Sequence, residues 1–201
     1  MNRGIILVIG FVLTFGSSWV GLVYLPYTQM QRLEPYSNEL SNEVYPKPLE
    51  GSAADGRKIY IANGCIYCHT QQVRNAEFGP DIARGWGTRR TVARDYIYDT
   101  PIQLGTMRTG PDLANVGQRW SADWQHKHLY NPRMMTPGSI MPSFAFLYEK
   151  RPVDESTPDA LILPGPWAEP GFVIVPKPEA KTLVDYLLSL NHSFDLPEAR
   201  E

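Results

Sequence analysis

Two thiols and one imidazole dominate the chemistry available to this chain. Cys65 and Cys68 are its two cysteines, and His69 follows the second directly, in Gly64-Cys65-Ile66-Tyr67-Cys68-His69. Cys-x-x-Cys-His is the attachment pattern of c-type haem: the thiols form thioethers to the porphyrin edge and the adjacent histidine reaches the iron. Two tethers three residues apart pin the edge of the macrocycle, so the neighbouring imidazole lies over its face. The same thiols could instead form a redox dithiol, half of a zinc site or a plain disulfide. No second Cys-x-x-Cys completes a zinc tetrahedron, and no doubly wound pattern surrounds the motif. The expected cofactor is therefore one covalently bound haem c.

An iron-bound histidine needs its other ring nitrogen held, and a carbonyl in a rigid Gly-Pro turn is a suitable acceptor. The chain offers two such turns, Gly110-Pro111-Asp112 and Gly79-Pro80-Asp81. A low-spin electron carrier also needs a sixth ligand, and methionine or histidine supplies it. Met141, stiffened by Pro142 in a proline-rich stretch far from the haem motif, is the preferred candidate. Met107, Met134, Met135, His126 and His128 compete with it. Arg74 lies close to the tethered haem and is assigned a haem-supporting role. Arg84, Arg89, Arg90 and Arg94 are further candidates to neutralise propionates, or to meet an acidic partner.

The elements that must position these groups are few. The 18 prolines and 16 glycines in 201 residues imply long ordered connections between a small number of helices. Residues 4–26 carry no charge, and just over twenty apolar residues span about 30 Å of hydrocarbon. The apolar core is longer than a usual signal peptide and no Ala-x-Ala-like site follows, so a retained transmembrane anchor is expected, embedded in the lipid bilayer. Arg3 places the N-terminus in the cytoplasm and the soluble bulk in the periplasm of a bacterial inner membrane. Gly10, Thr14, Ser17, Ser18 and Gly21 form a stripe of small residues along that helix. Trp19 and Tyr24 suit an interfacial belt.

Residues 27–52 read as an extended tether, and residues 53–201 as one haem domain. Helices are expected over 53–63, with Asp55 in its first turn and Ile59, Ala62 and Asn63 sharing a side with Asp55 and Gly56, and over 121–131, capped by Ser121 and ended by Pro132. A third is expected over 178–191, packed on the first, with His192 exposed beyond its end. Trp124, His128 and Leu129 are expected to share a face. The segment 149–176, dense in proline with a brief apolar run at 172–175, reads as an insertion that wraps the domain or docks a partner. A formal charge of −2 and the lack of a phosphate-binding loop argue against a nucleic-acid partner.

Three separated motifs carry a family likeness. The run 56–74, the run Arg108-Thr-Gly-Pro-Asp-Leu-Ala-Asn-Val-Gly117, and His128-Leu129, Asn131-Pro132, Pro137 and Met141-Pro142 resemble, in order, the mono-haem subunit II of cbb3-type cytochrome c oxidases. The resemblance covers most of residues 50–148 and extends to the single N-terminal anchor. It departs at Asn75, Leu104 and Met107, and the segment after Tyr148 has no counterpart in it. The resemblance implies a mainly α, cytochrome c-like helical haem domain with long proline-rich loops, plus one transmembrane helix. It implies Cys65 and Cys68 as attachment points, His69 and Met141 as axial ligands, and Pro111 rather than Pro80 as the support of His69. Its role would be to pass electrons to the haem–copper catalytic subunit, from a di-haem cytochrome c subunit or a soluble cytochrome c, without bond chemistry of its own. An independent membrane-tethered carrier, a cytochrome subunit of another respiratory complex, and a gas sensor with an open sixth position are the rival readings.

Overall fold

The computed structural model of the chain describes residues 3–38, 42–153 and 159–200. It is mostly helical, and it falls into two compact units, Met1–Pro46 with Ala93–Ile97, and Lys47–Val92 with Tyr98–Glu201.

The first unit begins with helix α1 (Arg3–Trp19), which runs through a π-helical turn at Val20–Tyr24 into helix α2 (Leu25–Met30). The 28 residues form one apolar helix long enough to cross a membrane, with mean hydropathy 2.2 over its most apolar stretch. It continues four residues past the expected end at Pro26. The reason is local: proline removes one i→i−4 hydrogen bond and its ring crowds the carbonyl four residues back. Here the backbone widens just before Pro26, and the Leu25 N–H donates to the Val20 carbonyl five residues earlier. The helix therefore absorbs the proline instead of ending on it. Beyond α2, the stretch expected as an extended tether holds a small antiparallel pair, β1 (Tyr36–Asn38) and β2 (Glu43–Tyr45). The segment 93–97 joins this unit through Arg94, which donates to the Glu34 carbonyl, and Asp95, which accepts from the Tyr45 hydroxyl at 2.8 Å.

The second unit is organised by two crossed helices, α3 (Gly51–Ala62) near its start and α6 (Pro178–Ser189) near its end. Between them in the chain lie α4 (Ala122–Tyr130), the short α5 (Pro132–Met135), and the antiparallel strands β3 (Tyr148–Pro152) and β4 (Phe172–Pro176). Helix α6 starts on Pro178, whose fixed φ suits the first helical position, with Glu179 in the first turn. Its apolar residues recur at helical spacing, and Ala180, Leu183, Val184, Tyr186 and Leu187 are buried. Burying each large aliphatic chain there contributes at most about 1.5–3 kcal/mol.

Helix α3 meets α6 where its own side chain vanishes. A Cβ on Gly56 would lie 1.8 Å from the Thr182 carbonyl oxygen and 2.8 Å from the Tyr186 Cβ. One turn on, Tyr60 is fully buried, its ring edge-on to Tyr186 at 5.3 Å. The buried residues of α3 are thus Gly56 and Tyr60; of the expected side, Gly56 is buried, Ile59 packs at the core's margin, and Asp55 and Ala62 are exposed. Because the helix starts at Gly51, Asp55 lies past the first turn, where it pairs with Lys58 at 2.8 Å.

Ser121 caps α4 by accepting from the Trp124 N–H at 3.3 Å. Pro132 does not merely stop that helix: Asn131 turns the chain, caps the next turn at the Arg133 N–H, and Pro132 opens α5. The apolar run 172–175 becomes β4, whose pairing with β3 was not visible as an alternating pattern because only its last residues face the core. Residues 154–158 of the segment expected as an insertion lie outside the described residues. His192 is half-buried rather than exposed, and its backbone N–H donates to Asn115 Oδ1 at 2.8 Å.

Candidate functional site

Helix α3 ends at the haem motif for a backbone reason. Gly64 adopts a left-handed conformation at φ 66°, which glycine accepts without cost, and a single 3₁₀ turn over Cys65–Tyr67 follows. No disulfide joins the two cysteines; Cys65 is half-buried against the apolar core and Cys68 is exposed. Burial pushes the Cys65 thiol up to about 11. His69 comes next, its ring shielded so that burial lowers its pKa, a fall that the hydrogen bond to Pro111 opposes.

That hydrogen bond centres the site. His69 Nδ1 lies 2.7 Å from the Pro111 carbonyl oxygen. Since a carbonyl only accepts, the contact selects the tautomer with hydrogen on Nδ1 and leaves the Nε2 lone pair directed away from the turn. Two backbone bonds clamp the turn to the motif: Gly110 N–H to the Cys68 carbonyl and Leu113 N–H to the Thr70 carbonyl, each at 2.8 Å. The approach requires glycine, because a Cβ on Gly110 would sit 2.2 Å from His69 Cε1. Asp112, fully buried, accepts from Thr70 Oγ1 at 2.6 Å, the Gln72 N–H at 2.7 Å and the Ala114 N–H at 2.9 Å. Neither Gly110 nor Asp112 stood out in the sequence, where they were only the flanks of Pro111.

The echo turn does a different task. Asp81, also fully buried, accepts from the Arg74 N–H at 2.8 Å and from its Nε and Nη2 at 3.2 and 3.0 Å. Arg108 Nη1 adds a further contact at 2.8 Å. Burial alone would raise the Asp81 carboxyl, but the Arg74 hydrogen bonds and the two guanidinium charges hold it below its usual value. Arg74, a candidate haem support, thus pairs with Asp81. The other candidates are engaged as well. Arg89 and Arg90 donate to the Phe194 and Glu198 carbonyls, Arg94 to Glu34, and exposed Arg84 lies over the Trp86 ring.

Met141 is half-buried beside the apolar core that Cys65, Ile66 and Leu113 also border. Its N–H donates to Ser139 Oγ at 3.3 Å and its carbonyl accepts from Arg133 Nη1 at 3.2 Å, so the loop is held at both ends of this residue. Of its competitors, Met107 is 54% exposed, and His126 Nδ1 lies 3.2 Å from the Tyr148 hydroxyl. Met134 and Met135 sit half-buried on α5. His128 stacks on Trp124 at 4.6 Å, which stacks on Trp120 at 4.3 Å, a column of rings at i, i+4 and i+8. Burial pushes the His128 ring down to about 4, and among the described residues its buried Nδ1 has no hydrogen-bond partner. Leu129 leaves that face and is buried in the core.

The residues fit a haem: paired thiols at the end of a helix, an imidazole with its tautomer selected, and a glycine that lets the supporting turn close on the ring. The class of protein is a mono-haem cytochrome with one N-terminal apolar helix long enough to cross a membrane. A family profile described as Cytochrome C oxidase, mono-heme subunit/FixO matches residues 21–162, and the chain belongs to that family, the mono-haem subunit of cbb3-type oxidases. No curated protein matches it.

Proposed function

We propose that this subunit carries electrons to the haem–copper catalytic subunit of its oxidase through one haem c, within a cytochrome c-like domain. Cys65 and Cys68 would hold the haem by thioethers, with His69 and Met141 as axial ligands and Pro111 as the support of His69. The group, when bound, supplies one-electron redox chemistry. What the chain itself does is hold, orient and shield. The 2.7 Å contact between His69 Nδ1 and the Pro111 carbonyl carries the reading, because it prepares the imidazole as a metal ligand and has no other evident use. Methionine–histidine ligation raises the potential toward that of an oxygen-reducing acceptor, and a closed coordination sphere suits outer-sphere transfer.

The apolar helix supports a single-pass anchor in the bacterial inner membrane, with a cytoplasmic N-terminus and a periplasmic haem domain. The donor would be a di-haem cytochrome c subunit or a soluble cytochrome c. A test is Met141→Ala in protein matured in a host that attaches haem c. The variant is expected to bind carbon monoxide when reduced and to show a lower potential. A spectrum and potential identical to those of the unaltered protein would remove Met141 as a ligand, and colourless protein with both thiols reactive would remove the haem c reading altogether.

A further inference from the structure

Three rings on α4 and just before its cap form a column from the surface inward. Trp120 stacks on Trp124 with centroids 4.3 Å apart and planes 11° from parallel, and Trp124 stacks on His128 at 4.6 Å and 14°. The outer ring, Trp120, is 44% exposed, whereas Trp124 and His128 are half-buried. The inner ring lies close enough to the site for the charge of His69 to be felt there. Its Nδ1 is buried and, among the described residues, has no hydrogen-bond partner, an orphaned polar atom that a haem beside His69 would cover. Two other ring pairs make no such path. Tyr60 and Tyr186 are both buried, and Phe144 and Phe146 lie 5.9 Å apart with planes at 53°.

Electron tunnelling weakens steeply across each gap between atoms, and near-parallel rings in contact leave small gaps. The column therefore couples a point on the surface to the neighbourhood of His69 better than saturated side chains would. Around its outer end in the chain, Gln118, Ser121 and Asp123 are polar and exposed. A single large aromatic among polar residues suits a brief encounter, since electron-transfer contacts are small and permanent subunit interfaces are broader and more apolar.

We propose that Trp120, Trp124 and His128 are the route by which an electron from a soluble haem-protein donor enters this subunit, with the exposed Trp120 ring as the point of contact. This rests on the haem reading above. The step moves one electron: the donor's ferrous iron becomes ferric, and ferric iron held by this subunit becomes ferrous. No bond breaks and no proton moves, and the two tryptophans bridge the transfer without being oxidised.

The test uses the full chain, matured with haem and held in detergent in the ferric state. It is mixed rapidly with a reduced soluble cytochrome c whose visible band is resolved from its own. The limiting rate at saturating donor is read for Trp120→Leu, Trp124→Leu, Trp124→Phe and, as a control at a ring 60% exposed elsewhere, Phe146→Leu. The reduction potential and the far-ultraviolet circular dichroism, where stacked indoles give a coupled pair of bands, are recorded alongside. Trp120→Leu and Trp124→Leu are expected to lower the limiting rate about tenfold at unchanged potential and to lose the coupled bands. Trp124→Phe should lose the bands yet keep most of the rate, because a ring stays in place, and Phe146→Leu should match the unaltered protein. Unchanged limiting rates in the leucine variants would overturn the proposal, as would a slower Phe146→Leu. A shift in the donor concentration needed for saturation, with the limiting rate kept, would make Trp120 a docking residue only and overturns the route. If Trp124→Leu fails to load haem, the exposed Trp120→Leu decides by the same criteria. Coupled bands missing from the unaltered protein, or its failure to accept electrons from the soluble donor, would also overturn it. Lack of covalent haem in the unaltered protein is a different result, and sinks the reading on which this one rests.

Discussion

At the scale of single residues, the chain uses two buried aspartates to turn loops into fixed geometry. Asp112 satisfies three donors and holds the turn that faces His69; Asp81 gathers Arg74 and Arg108. Replacing Asp81 with Asn would leave two guanidinium groups facing a neutral amide, a loss of about 3 kcal/mol in unfolding free energy. The pH dependence has a definite sign. The Asp81 pKa is depressed in the folded protein, so its contribution is complete above the ordinary value of 3.8 and is lost as pH falls below it through the folded value. Thermal unfolding of the unaltered chain should weaken across that acid range, and Asp81→Asn should flatten that part of the profile. Gly110 gives a sharper residue-scale outcome. Gly110→Ala places a methyl group 2.2 Å from the His69 ring, so the turn must retreat and the Nδ1 contact must lengthen. The haem-to-protein ratio of matured Gly110→Ala is expected to fall several-fold, while the thiols stay reactive.

At the scale of elements, the domain depends on how closely α3 and α6 cross. Gly56 permits contact between backbones, and Tyr60 and Tyr186 then fill the space one turn away. Gly56→Ala would force the helices apart, because the obstacle is the backbone carbonyl of Thr182 and not a side chain that could rotate. Overpacking of this kind costs about 1–3 kcal/mol, with the upper end expected here; chemical unfolding would read it as a lower midpoint at unchanged slope. The same closeness matters for the motif, since α3 delivers Gly64 and Cys65 to their places. Neither the close approach at Gly56 nor that of Gly117 to the Leu188 carbonyl can be told from an ordinary glycine by composition.

At the scale of the molecule, the chain combines an apolar helix long enough to cross a membrane with a unit that carries every candidate ligand. Removing residues 1–30 should abolish membrane association and leave protein that stays in solution without detergent. The measurement is partitioning after ultracentrifugation, and recovery of the shortened chain in the membrane pellet would contradict the anchor. The family profile covers residues 21–162, so β4 and α6 lie beyond the matched part even though β4 pairs with β3 and α6 packs on α3. The matched part contains the haem motif, the Pro111 turn and the Met141 loop.

The Cys-x-x-Cys-His pattern, the long apolar helix, the amphipathic last helix and the capped helix at Ser121 were legible in the linear chain, because each is set by neighbours within a few residues. Spacing alone aligns two thiols with an imidazole, and helical periodicity alone marks Leu183 and Leu187. The residues alone offered two Gly-Pro turns for His69, and the family resemblance favoured Pro111; folding brings Pro111 to the imidazole and commits the Pro80 turn's Asp81 to arginines. The fate of the arginines was not readable at all. Arg74, Arg84, Arg89, Arg90 and Arg94 share one chemistry, and only the fold decides which carbonyl, carboxylate or ring each meets. Local covalent order determines what a short segment is; distant contacts determine what its charged groups are for.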